Sequence, residues 1–139
     1  MTDTASTLPA VYAAAKTPQA GAATADLVRG LGAAAQPDIV AARRLFHRFP
    51  EVSGHESNTQ KLLCEQLDDL GVPYQKLENN GIIATIAGTA PGAYGADGEP
   101  VRRVALRADM DALPVTEQTG LPFASENPGV MHACGHDAH

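Results

Sequence analysis

The sequence ends in the stretch Met131-His132-Ala133-Cys134-Gly135-His136-Asp137-Ala138-His139, which is unusually dense in metal-binding residue types. Thiolate and imidazole are the side chains that best hold borderline divalent metals such as zinc. A single cysteine or histidine is more often a solvated surface residue, but this density favours a metal site. Gly135 argues against an uninterrupted helix, so the stretch is predicted to be extended or tightly turned.

The spacing of the candidate ligands supports this interpretation. His132, Cys134 and His136 follow one another at i, i+2 and i+4, and such side chains share one face of an extended segment. Neighbouring Cα atoms then lie roughly 6.5 Å apart, so two side chains can converge on one ion. They could equally serve two ions ~3.5–4 Å apart. On a helix only His132 and His136 would face together, which leaves Cys134 and His136 as the strongest predicted ligand pair.

An acidic pair lies upstream of this stretch. Asp109 and Asp111 follow an apolar run that predicts a short buried strand over Val104–Arg107. Ligands in open α/β sheets gather at the carboxyl ends of strands, and both carboxylates share one face if the backbone stays extended. The alternative is a turn closed by Pro114, in which the aspartates bond their own backbone. The residues alone leave both interpretations open.

A first helix is predicted from Asp38 as the N-cap through Phe49, with Pro50 ending it. Phe46 and Phe49 recur at helical spacing and are predicted to lie in the core. His47, on the same helix, is predicted to be a surface or capping residue rather than a ligand.

A second helix is predicted from the S-x-x-E form of a capping box at Ser53–Glu56. It should continue to Leu70, with Gly71 just past its end. Cys64 is predicted to be buried along this helix and inert.

A hairpin is predicted after the second helix. The segment Pro73–Leu77 supplies one strand and Ile82–Ala87, which is dense in β-branched residues, supplies the return strand. Between them Asn79-Asn80-Gly81 contains an N-G pair, the strongest short hairpin signal.

Length, composition and charge limit the classes of protein to which this chain can belong. The length of 139 residues suggests one domain or part of one, with residues 1–37 as a flexible Ala/Thr/Pro-rich extension and 38–139 as the folded region. The net charge of −6 argues against binding to nucleic acid or an anionic membrane. No apolar run is long enough to span a bilayer. Two cysteines and the lack of a secretory signal favour a reducing, cytoplasmic location.

Several segments resemble those of one enzyme family. Leu106–Pro114 (LRADMDALP) and His132–His139 (HACGHDAH) are similar to the signature segments of metal-dependent amidohydrolases of peptidase family M20. These relatives of aminoacylases and carboxypeptidases include hippurate hydrolases, N-acyl-amino-acid amidohydrolases and auxin-conjugate hydrolases. Arg43–Glu51 resembles the family's RR-x-x-H-x-x-PE opening, and Glu56–Thr59 its E-x-x-T. The resemblance covers about Ile39–His139, and HACGHD is its most specific part.

The resemblance implies a fold and a site. The fold is α/β, the N-terminal part of a zinc-peptidase-like (phosphorylase/hydrolase-like) catalytic domain with helices packed on a mixed sheet, without the smaller lid and dimerisation domain. Cys134 and His136 match metal ligands, with His132 ranked below them. Asp111 matches an aspartate that supports a ligand at the catalytic site. Asp109 replaces the histidine of the family's H-x-D segment and is a second candidate catalytic residue.

The resemblance also implies an activity, the hydrolysis of the amide bond of N-acyl amino acids such as hippurate. Two divalent ions, chosen from zinc, manganese, cobalt and nickel, would activate the attacking water. The implied partner is the small-molecule substrate, and full-length relatives are expected to form homodimers or homo-oligomers. The family's general-base glutamate and remaining ligands come from later positions, so this chain is expected to be an incomplete and inactive fragment. The alternative is a non-enzymatic metal-binding or interaction fragment.

Overall fold

The computed structural model describes residues 25–139, which carry five elements, with a long irregular segment between the fourth and the fifth. In chain order they are α1 (Ala25–Arg48), α2 (Ser57–Asp69), β1 (Tyr74–Lys76), β2 (Ile82–Ala84) and a 3₁₀ turn, η1 (His136–Ala138). Residues 1–24, most of the predicted extension, lie outside the described residues. No helix in the described part is long and apolar enough to cross a membrane.

Helix α1 begins earlier than predicted. Asp38 is not its N-cap, because the helix already includes residues 25–37 and runs through Pro37. Proline removes one backbone donor, but its fixed φ is itself helical, and the preceding alanines are the strongest helix formers. The boundary predicted between residues 37 and 38 therefore falls inside α1. The predicted end is confirmed, since the helix stops at Arg48 and Pro50 follows.

Helix α2 is capped by a residue outside the predicted box. Ser53 and Glu56 do not form the predicted capping box, because the helix begins at Ser57 and Glu56 makes no side-chain capping bond. Instead, the Glu51 carboxylate accepts bonds from the backbone N–H groups of Asn58 at 3.2 Å and Thr59 at 2.7 Å. The Thr59 hydroxyl donates to the same carboxylate at 2.9 Å. These bonds satisfy N–H groups that have no partner inside the helix.

The end of α2 and the hairpin match their predictions. Gly71 follows the helix with φ +64°, a conformation that favours glycine. Cys64 is buried, with 3% of its surface exposed. Strands β1 and β2 pair antiparallel, and the Leu77 N–H donates to the Gly81 carbonyl at 2.8 Å across the predicted turn. The return strand is shorter than predicted, since β2 ends at Ala84.

The predicted strand over Val104–Arg107 is absent. Val104 is 87% exposed and Leu106 is 97% exposed, and the segment has no regular structure. A strand needs a neighbouring backbone to complete its hydrogen bonds, and the described residues place none beside it. Phe49, predicted to lie in the core, is 37% exposed, with the Arg48 guanidinium 5.4 Å from its ring centre.

A short backbone ladder positions the C-terminal part of the chain. Ala112 forms a parallel bridge to Val52, and its N–H donates to the Glu51 carbonyl at 2.7 Å. Leu113 forms an antiparallel bridge to Met131 with two reciprocal hydrogen bonds of 3.0 Å. The described residues therefore form a partial α/β domain, in which a hairpin and isolated bridges are the β structure present. The ladder sets the acidic segment beside the start of the terminal stretch.

Candidate metal centre

The two clusters found in the sequence meet at Asp111 and His136. His136 Nδ1 lies 2.9 Å from Asp111 Oδ1 and also 2.9 Å from the Asp111 carbonyl oxygen. Both partners are acceptors, so Nδ1 carries the proton and Nε2 of a neutral ring keeps its lone pair. A carboxylate that holds the far nitrogen of a histidine is the usual support for a metal-ligating ring.

The terminal stretch is tightly turned rather than extended. Gly135 has φ +97°, and the 3₁₀ turn η1 follows it directly. The turn breaks the shared face expected for the alternating side chains. His132 is 5% exposed, whereas Cys134 lies on the surface and His136 keeps a quarter of its side chain exposed. Cys134 and His136 therefore remain accessible, and His132 points into the protein.

His132 lies in a buried polar environment. Its Nδ1 atom has no hydrogen-bond partner among residues 25–139. Burial lowers the pKa of His132, and the nearby His47 and His136 rings lower it further against the attraction of Asp137 and Asp111. The ring is therefore neutral at neutral pH, which is the form in which imidazole binds metal.

Asp109 contacts Arg107 and His139. Arg107 donates to its Oδ1 atom at 2.7 Å, and His139 Nδ1 is 3.8 Å from its other oxygen. The Asp109 N–H also donates to His139 Nδ1 at 3.3 Å. The His139 ring is centred 5.5 Å from that of His136. Asp109 is thus connected to His136 through His139, for which the sequence predicted no role.

A buried polar network behind the turn was missed from the sequence. His47 is 3% exposed, so its prediction as a surface or capping residue is wrong. Its Nδ1 lies 2.8 Å from Asp137 Oδ2 and its Nε2 lies 3.1 Å from Glu117 Oε1. Arg43 adds an ion pair to Asp137 Oδ2 at 3.1 Å. The available signal was the i, i+4 spacing of Arg43 and His47, which puts both on one helix face.

Glu117 is the acidic end of this network, and its side chain is 4% exposed. Burial alone would raise its pKa. The Ser125 N–H at 2.6 Å, the Thr119 hydroxyl and the His47 ring outweigh burial and hold the pKa of Glu117 at about 2. Glu117 is therefore a carboxylate at neutral pH. It lies in an irregular loop, and no periodic pattern marked it.

The residues present fit part of a metal site. Within residues 25–139, no three histidine, cysteine, aspartate or glutamate side chains converge on one point. Of the three predicted ligands, Cys134 and His136 are accessible, and their combination of sulfur and imidazole suits zinc and related borderline ions. A catalytic site needs at least three protein ligands, so these two donors form an incomplete set.

Comparisons with known proteins lead to one family. Residues 105–139 match the model of peptidase family M20/M25/M40. The chain is 48% identical over 101 residues to thermostable carboxypeptidase 1 of Saccharolobus solfataricus, covering 73% of this chain and 24% of that protein. It is 43% identical over 103 residues to the N-acyl-L-amino acid amidohydrolase of Geobacillus stearothermophilus, covering 73% and 25%. The chain thus spans about a quarter of the length of the curated relatives it matches.

A solved structure agrees with the sequence matches. The Bacillus subtilis YXEP protein, a dinuclear metal-binding peptidase from the M20 family, superimposes with a TM-score of 0.63 at 38% identity. The superposition covers 76% of this chain and 28% of that one. The family model spans both the Asp109–Asp111 pair and the terminal turn, which the structure joins through Asp111 and His136. Over the part of those proteins that it spans, the chain therefore belongs to peptidase family M20.

Proposed function

We propose that this chain supplies Cys134 and His136 to the metal site of a metal-dependent amidohydrolase that cleaves N-acyl amino acids. The observation that carries the proposal is the contact of His136 Nδ1 with Asp111 at 2.9 Å, which leaves Nε2 free to bind an ion. Relatives named as an N-acyl-L-amino acid amidohydrolase and a carboxypeptidase support the reaction class. Hippurate-like compounds are the proposed substrates within that class.

The chain's own residues have distinct tasks in this proposal. Asp111 fixes the tautomer and direction of the His136 ring. Cys134 would hold an ion through its sulfur, as a thiolate ligand. His132 is the third candidate ligand, and Asp109 acts at the exposed edge through His139. Divalent ions held in such a site lower the pKa of bound water and polarise the substrate carbonyl.

The types of donor residue indicate which metals the site would hold and what the 139-residue chain can do by itself. A neutral imidazole beside a thiolate suits zinc, with manganese, cobalt and nickel as the other candidates. A dinuclear site is proposed because the structural relative is described as binding two metals. We expect the 139-residue chain by itself to bind metal weakly and not to hydrolyse substrate, since three ligands do not converge within residues 25–139. Its two unpaired cysteines fit a cytoplasmic location.

The experiment is a graft into a complete relative. The matching region of the Geobacillus stearothermophilus amidohydrolase is replaced by the corresponding part of this chain, and hydrolysis of N-acyl amino acids is measured with and without zinc or manganese. We expect metal-dependent hydrolysis. The graft with Cys134→Ser should lose metal and activity, and the matched graft with Cys64→Ala should keep both. A folded graft that binds metal through Cys134 and His136 without hydrolysing any N-acyl amino acid would refute the proposed reaction.

A second candidate function is a metal-binding or interaction module without catalysis. Two observations favour it, namely the incomplete set of ligands and the exposure of Val104 and Leu106 beside the site. Equilibrium dialysis of the 139-residue chain with zinc and manganese, alongside assay of the graft, separates the two. Metal bound by the chain together with an inactive graft favours this second function.

A further inference from the structure

Three buried side chains link α1, the loop after Asp111 and the terminal turn; together they are called the clamp. They are Glu117, His47 and Asp137. The His47 ring is the centre of the clamp, with Nε2 3.1 Å from Glu117 Oε1 and Nδ1 2.8 Å from Asp137 Oδ2. The three side chains are 4%, 4% and 1% exposed, respectively.

Helix α1 supplies two side chains that contact the carboxylates of the clamp, His47 and Arg43. Each nitrogen of the His47 ring lies within hydrogen-bond distance of a carboxylate oxygen, Nδ1 of Asp137 and Nε2 of Glu117. Arg43, one turn earlier on the same helix, adds a second donor to Asp137 Oδ2 at 3.1 Å. These contacts offset part of the cost of burying the carboxylates of Glu117 and Asp137, and the second Asp137 oxygen, Oδ1, has no hydrogen-bond partner among residues 25–139. Removal of His47 would take one contact from each of the two buried carboxylates.

Asp137 connects the clamp to the candidate metal site. Asp137 is the buried residue of the three-residue turn η1, and it directly follows His136. The turn thus has one inward anchor, a carboxylate held by α1. The other face of the turn carries His136 against Asp111 at 2.9 Å and leaves Cys134 exposed. The direction of His136 is therefore fixed from two sides, by Asp111 in front and by the clamp behind.

We propose that Glu117, His47 and Asp137 form a positioning unit that fixes the turn carrying Cys134 and His136 and thereby sets its affinity for metal. The inference rests on the proposed function, because it assigns further residues to the same site. None of the three side chains touches metal or substrate in this scheme. They act through the backbone of the turn, as residues that orient metal ligands do elsewhere.

The test measures zinc affinity of the 139-residue chain by equilibrium dialysis, with folding monitored by circular dichroism. We expect His47→Gln and Glu117→Gln to weaken zinc binding roughly tenfold, as the loss of residues that orient ligands usually does. Glu126→Gln is the matched control. It removes the exposed ion pair between Arg48 and Glu126, which also joins the end of α1 to the same loop but does not reach η1.

A second control separates positioning from general stability. Gly71→Ala places a side chain at φ +64° at the far end of α2, which destabilises the fold without touching the site. Its zinc affinity should equal that of the wild type. If His47→Gln does not fold, Asp137→Asn replaces it, since it keeps the size of the side chain and removes the charge held by the clamp.

The outcomes distinguish the inference from the proposed function. Weaker zinc binding in the clamp variants, with both controls unchanged, supports the positioning role. Equal zinc affinity in wild type and folded clamp variants overturns it and leaves the proposed metal site intact. Loss of affinity in Gly71→Ala as large as in the clamp variants also overturns it, because a structural effect then suffices. If the 139-residue wild type binds no zinc through Cys134 and His136, the positioning role is overturned, whereas the proposed function is tested separately by the graft.

Discussion

His136 Nδ1 and Asp111 Oδ1 lie 2.9 Å apart although 25 residues separate them in the chain. The pair is possible because Leu113 and Met131 exchange two backbone hydrogen bonds of 3.0 Å, which set the acidic segment beside the terminal turn. A carboxylate in this position fixes which ring nitrogen is free. The relationship brings two separate sequence clusters into contact.

Asp111→Ala should weaken zinc binding by about 10–100-fold, because His136 loses the carboxylate that orients its ring. Asp111→Asn should have a smaller effect, since its amide oxygen still accepts the bond from Nδ1 without the charge. Zinc affinity from isothermal titration calorimetry checks both. Asp69→Asn, at the end of α2, is the control and should change nothing. Equal affinity in Asp111→Ala and wild type would show that the contact does not support a metal ligand.

The two cysteines should differ sharply in reactivity. Cys134 is exposed and Cys64 is 3% exposed, so iodoacetamide should modify Cys134 alone in the folded protein. Zinc should slow this modification on the order of tenfold or more, because a metal-bound thiolate is a poorer nucleophile. Mass spectrometry of peptides from timed samples measures both rates. Labelling of Cys134 at the same rate with saturating zinc present would count against its assignment as a ligand.

Glu51→Ala should lower the free energy of unfolding by about 1 kcal/mol, because α2 loses the carboxylate that caps it. Ser53→Ala should change stability by less than about 0.5 kcal/mol, since Ser53 is exposed and makes no capping bond. Urea unfolding followed by circular dichroism compares the two variants. A larger effect for Ser53→Ala would restore the capping box expected from the sequence.

Glu117 should make stability depend on pH in the acid range. Its pKa is about 2 in the folded state against 4.5 in the unfolded chain, so the unfolded state binds more protons in between. Its contribution is therefore fully present above about pH 4.5 and is lost as the pH falls toward 2. Glu117→Gln should cost on the order of 1–3 kcal/mol at pH 7. The difference between wild type and variant should shrink between pH 4.5 and 3 in urea unfolding curves, and a difference that stays constant would contradict the assignment.

The sequence by itself determined the local features whose signals are short in range. The Asn80-Gly81 turn, the glycine after α2 and the burial of Cys64 all follow from neighbouring residues, and the structure has them. The dense terminal stretch and the resemblance of two segments to one family also came from the chain alone. These inferences succeeded because turn conformation and residue type are set within a few positions.

The tertiary structure decided what depends on distant partners. The buried His47 ring lies between Asp137 and Glu117, which are 90 and 70 residues away in the chain and which no local pattern pairs with it. Glu51 caps α2 because the chain folds back past its own helix, and Val104–Arg107 stays irregular because no described backbone pairs with it. Hydrogen-bond donors, acceptors and strand partners are satisfied in space rather than in sequence, so local patterns could nominate candidate residues but could not assign their partners.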